Sequence, residues 1–110
     1  MNNDEALARK LAQLFSDDST RSDVIAILDT YGDEDYEREP SRVRLAILKS
    51  AGNDLKKIEK YTESANQDFR DILAWAEYPR QSKNWSVPAG PTKEKLIRED
   101  RAEYEAWLNT

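Results

Sequence analysis

The sequence has no histidine and no cysteine. The first absence removes the side chain that titrates near neutral pH and the commonest nitrogen ligand for metals. The second removes disulfides, thiolate nucleophiles and the sulfur ligands of structural zinc and iron–sulfur sites. Long apolar runs are missing too. The longest aliphatic stretch is Val24-Ile25-Ala26-Ile27-Leu28, far short of the ~20 residues needed to span a bilayer. No segment sustains the alternation of a strand, and no Asn-Gly or Asp-Gly pair marks a tight hairpin. What remains for chemistry is carboxylates, amines, phenols and hydroxyls, none in a recognisable catalytic spacing.

The chain is nonetheless equipped to fold. It has 110 residues, of which 38% are hydrophobic and 35% charged, and ten are aromatic. That length fits one domain able to bury a core without staples. Met1-Asn2-Asn3-Asp4-Glu5 has neither a basic n-region nor an apolar h-region, so the sequence predicts a soluble, cytoplasmic protein. Asn84-Trp85-Ser86 fits a glycosylation acceptor, but without a secretory signal the match reads as chance. The net charge of −5 is unevenly spread: residues 1–40 hold eleven acids and four bases, whereas residues 41–92 hold six acids and nine bases. Such asymmetry serves intramolecular attraction or two faces with different partners.

The apolar spacing is helical throughout. Leu7, Leu11 and Leu14 lie at i, i+4 and i+7, predicting a first helix over about 4–15. Ser22 caps a predicted second helix over 22–31, with Gly32 as its stop. Pro40 or Ser41 opens a third, which Gly52 ends. Its Val43, Leu45, Ala46, Ile47 and Leu48 cover more than half of the circumference, so it should be central. A fourth spans about 54–64, with Asn53 or Asp54 as its cap. A fifth begins near Asn66, carries Phe69, Ile72, Leu73 and Ala76, and stops at Tyr78-Pro79. Residues 79–91 read as one long connection. Thr92 then caps a last helix over 93–108, whose apolar stripe Asp100 and Arg101 interrupt and should therefore keep shallow. The expected fold class is an all-α, single-domain bundle of five to six short helices with a Pro-rich loop before the last. Residues 1–79 form its core, 80–91 the loop, and 92–110 a helix that docks on its own bundle or on a partner.

Four patterns invite a functional reading. Asp33, Asp35 and Glu37 alternate as at the start of a calcium loop. The required glycine and glutamate at the sixth and twelfth positions are Arg38 and Arg44 instead, which excludes an EF-hand. Asp68 and Asp71 stand three apart on one helix and could form an acid–base pair if one were desolvated. The plainer reading is that Asp68 charges a helix start. The third helix, Gly52 and the fourth helix have the outline of a helix-turn-helix, with Lys56, Lys57 and Lys60 on the reading helix. A net-acidic chain is repelled by phosphate, which argues against nucleic acid.

The fourth pattern is Trp85 in a proline-rich loop, near Arg80, Lys83 and Val87. Tryptophan and arginine are enriched at binding hot spots. An indole on a stiffened loop is expected first to fold back on the bundle, and otherwise to anchor a partner. These residues favour a non-enzymatic protein-interaction or adaptor module, with Arg80, Trp85, Val87, Tyr104 and Trp107 as candidate partner-binding residues. No cofactor, metal or membrane is assigned, and a protein partner or self-association is expected. The alternatives are a carboxylate-based metal binder or enzyme and a DNA-binding regulator.

Overall fold

Pro40–Ala51 is the helix on which the others are assembled. Val43, Leu45, Ala46, Ile47, Leu48 and Ala51 are all buried on it, so it is enclosed on most sides, as its sequence predicts. The computed structural model describes residues 3–32 and 39–110, and these form seven helices with no strand among them. In chain order they are α1 (Asn3–Leu14), α2 (Asp18–Leu28), α3 (Pro40–Ala51), α4 (Leu55–Gln67), α5 (Phe69–Glu77), α6 (Pro79–Lys83) and α7 (Pro91–Asn109). Helices α1, α4 and α5 pack around α3, α2 lies on α4, and α7 lies on α5 and α6. No helix among the described residues is long and apolar enough to cross a membrane.

Aspartates set three of the helix starts. Asp17 accepts from the Thr20 N–H at 2.8 Å and starts α2 at Asp18 rather than Ser22, because a cap in the polar run 16–20 nucleates a turn there. That helix also closes earlier than its apolar residues suggest. Thr30 and Tyr31 donate to Ile27 and Leu28 in a tightened last turn, and Arg44 reaches from α3 to donate to the carbonyls of Leu28 and Tyr31. Tyr31 is fully buried beyond the helix end. Asp54 caps α4 through Lys56 and Lys57, as expected. Asp68 closes α4 and opens α5 by accepting from the Arg70 N–H, so α5 begins at Phe69 instead of Asn66. Helix α4 runs on to Gln67 because Ile58, Thr62 and Ala65 continue its buried stripe.

Gly52 ends α3 as predicted, with φ +65° and its N–H donating to Leu48. Its N-terminal counterpart is Gly32, at φ +108°, where an added Cβ would lie 2.9 Å from the Pro40 Cβ. Here the close approach of α3 and the backbone conformation both call for glycine.

The core joins Leu11 and Phe15 of the first segment, Val24, Leu28 and Tyr31, the buried face of α3, Ile58 and Ala65, and Ile72, Leu73 and Ala76. Of Leu45, Ile47, Leu48, Phe69, Ile72 and Leu73, which the sequence pattern marks as central, all but Phe69 are buried. Phe69, at the very start of α5, is only partly covered. Trp107 of α7 packs against this core from outside.

Two expectations for the C-terminal third are corrected. The connection 79–91 is not structureless: Pro79 at the first helical position starts α6, and the true loop is residues 84–90. Thr92 does not cap the last helix. Pro91 begins it after Gly90, without a side-chain cap.

Candidate interaction surface

Asp100 organises this end of the molecule. The sequence casts it as a flaw in an apolar stripe, yet it is the buried residue of α7, with 1% of its surface exposed. Oδ1 accepts from the Arg80 N–H at 3.1 Å and from Arg80 Nη1 at 3.2 Å. Oδ2 accepts from the Gln81 N–H at 3.0 Å and from Gln81 Nε2 at 3.1 Å. A charge this deep is tolerated because each oxygen is doubly satisfied. Burial alone would raise the Asp100 pKa, but the hydrogen bonds from Gln81 and Arg80 outweigh it and hold the carboxyl below the usual aspartate value. The carboxylate thus acts as the missing N-cap of α6, supplied from another helix.

Around it the charges interlock. Arg80 also pairs with Glu99 at 3.3 Å and Glu103 at 3.5 Å, and Glu103 receives Lys49 of α3 at 3.3 Å. Arg42 of α3 grips Glu77 of α5 through two hydrogen bonds of 2.8 and 2.6 Å, which push the guanidinium pKa up. Tyr104 sits nearby. Its burial, helped by the negative Glu77, raises its pKa. Lys10 is buried too, with Nζ 3.1 Å from Thr110 Oγ1 and 4.5 Å from the centre of the Trp107 ring. Desolvation, with Arg9 close by, lowers its pKa.

Docking α6 in this way exposes the turn at its C-terminal end. Asn84 donates from its backbone and side chain to the Arg80 carbonyl, and the Val87 N–H donates to the Asn84 carbonyl. The turn is closed at both ends, and the Trp85 indole between them stands 80% exposed. The expectation that Trp85 folds back is therefore overturned: the anchored turn leaves its side chain outside. On the preceding helix Trp75 is 49% exposed and meets Tyr61 of α4 edge-on, with ring centres 5.9 Å apart. Trp75, Pro79, Ser82 and Lys83 line an open depression of about 350 Å³. Exposed Lys57 and Lys60 flank Tyr61 on α4, within one turn of it.

The five candidate partner-binding residues thus divide. Arg80, Tyr104 and Trp107 are engaged within the fold, Val87 is half-buried, and Trp85 is free. Trp75, Pro79 and Ser82 were not among the candidates. Pro-Arg-Gln-Ser-Lys has no apolar residue to show a helical period, so nothing in the sequence marked a helix that would bring Lys83 beside Trp75.

The acidic alternatives fare differently. Asp33, Asp35 and Glu37 lie outside the described residues. Asp68 caps α5, and its hydrogen bonds from Arg70 keep its pKa low, the reverse of what a general acid needs. Asp71 is exposed. Among the described residues no group of three carboxylates is placed to hold a metal ion. A cleft of about 390 Å³ between α5, α6 and α7 is lined by Glu77, Asp100, Tyr104 and Glu105, but Glu77 and Asp100 are committed to structural partners.

The chain matches no protein-family model, and neither curated proteins nor solved structures show a match to it.

Proposed function

We propose that the protein is a non-enzymatic interaction module that binds a partner protein through Trp85 and Trp75. One observation carries this reading: a tryptophan four-fifths exposed on a turn whose backbone is fixed at both ends. Leaving that much apolar surface in water is unfavourable, and a side chain held out by a rigid turn loses little conformational freedom when it binds. Tryptophan in such a position has the character of a hot-spot anchor.

The test is paired affinity capture from the native cell, with wild-type and Trp85→Ala baits of equal thermal stability. A stoichiometric partner held by the first and lost by the second is expected. The same proteins recovered with both baits would overturn the assignment of Trp85.

A further inference from the structure

The depression beside Trp75 has a charge pattern as well as a shape. Lys57, Lys60 and Lys83 are exposed and make no ion pair among the described residues. Three other cations are held by the fold: Arg80 by Asp100, Glu99 and Glu103, Arg42 by Glu77, and Lys49 by Glu103. Lys57 and Lys60 lie within one turn of Tyr61, Tyr61 meets Trp75 edge-on, and Lys83 shares the depression with Trp75, two residues before Trp85. Asp71, one turn before Trp75, and Glu59 and Glu63 of α4 are exposed acids on the same two helices. The chain as a whole carries −5.

From this arrangement we propose that the surface takes an acidic linear segment of a partner protein. The proposal rests on the interaction-module reading and names the partner's chemistry. An apolar side chain of the segment enters the depression between the Trp75 indole and the Pro79 ring. Carboxylates on either side of it meet Lys83 at one end and Lys57 and Lys60 at the other. Unpaired ammoniums at the rim steer an acidic segment and fix its register, while the aromatic groups supply the buried contact. A nucleic acid strand fits less well. Its affinity comes from many neutralised phosphates, and three lysines beside Asp71 on a net-acidic chain neutralise few. The same argument disfavours duplex DNA on α4, whose Lys56 and Lys60 are interleaved with Glu59 and Glu63.

The experiment titrates the full chain into a panel of fluorescein-labelled peptides rich in glutamate, each with one central proline, leucine, phenylalanine or tryptophan. The controls are the same peptides with glutamine for glutamate, single-stranded oligo-dT and a random DNA duplex. Binding is read by anisotropy. At least one acidic peptide should bind, with affinity falling several-fold as salt rises. Lys57→Glu combined with Lys83→Glu should weaken it by about tenfold or more. Trp85→Ala and Trp75→Ala should each weaken it, with circular dichroism confirming that all variants are folded.

Equal binding of the glutamine peptides would overturn the acidic specificity while keeping the apolar surface. Tighter binding of oligo-dT or duplex than of any peptide would make this a nucleic-acid surface. If no probe binds but a cellular partner is still lost with Trp85→Ala, the proposed chemistry fails and the interaction module stands. If that partner is absent as well, both fail.

Discussion

Asp100 reaches across twenty residues of sequence to accept the backbone N–H of Arg80 at 3.1 Å. A helix of five residues is too short to be stable on its own. It exists because a carboxylate from α7 satisfies its first donors and an ion pair with the Arg80 side chain closes over it. Asp100 therefore links the position of α7 to the presentation of Trp85. Asp100→Ala should destabilise the protein by about 2 kcal/mol, through a lost cap and unsatisfied donors. Asp100→Asn, which keeps one acceptor, should cost less. Urea unfolding with tryptophan fluorescence measures both, and an unchanged midpoint in the alanine variant would remove Asp100 from its structural role.

The same carboxylate predicts a pH dependence. Its pKa is lower in the folded chain than in the unfolded chain, as are those of the capping residues Asp17 and Asp68. Deprotonation is thus favoured by folding, so the stabilisation is present above the unfolded aspartate value of about 3.9 and is lost as pH falls through the folded values. The urea midpoint should be flat from about pH 7 to 5 and drop below about pH 4. Asp100→Asn should have a shallower drop, because one of the contributing groups is gone. With no histidine in the chain, no further step is expected near pH 6.

Two glycines at positive φ should differ in their tolerance of a side chain. Gly52, at φ +65°, has nothing within 4 Å of an added Cβ, so Gly52→Ala should cost about 1 kcal/mol for the backbone alone. Gly32, at φ +108°, meets Pro40 at 2.9 Å as well. Gly32→Ala should therefore cost about 2 kcal/mol or more, since strain and overlap add. Thermal unfolding of the two variants side by side gives the order, and a more stable Gly32→Ala would contradict it.

The buried helices were legible because their information is local. Leu45, Ile47 and Leu48 announce an enclosed helix, and Gly52 followed by Asp54 announces a stop and a start. The C-terminal third was less legible because its determinants are distant in sequence. Nothing near Asp100 shows that two N–H groups twenty positions earlier will need it, so a polar residue in an apolar stripe reads as a weakness rather than a contact. Arg44 closing α2 from α3 is a second case. Phe69 shows a different limit: periodicity gives the face of a helix but not whether a neighbour extends far enough to cover its end. Of the candidate surface, Trp85 was visible as a residue but its exposure was not, since that depends on the Asn84 turn.

The three tryptophans provide the last prediction, because the fold gives them distinct surroundings. Trp107 packs against the core and the Lys10 ammonium, Trp75 is half covered by Tyr61, and Trp85 is 80% exposed. Trp85 should supply the reddest part of the emission and the largest share quenched by iodide, an anion that Lys83 two residues away should attract. Trp85→Phe should shift the remaining emission to the blue and reduce the quenchable fraction. Its unfolding midpoint should stay within about 0.5 kcal/mol of wild type, as expected for a surface side chain without partners. Trp107→Phe should do the opposite, destabilising the protein and leaving iodide access nearly unchanged. Should Trp85 instead resist iodide and Trp85→Phe unfold early, the indole would be packed against the bundle, and the docking surface assigned to it would have no anchor.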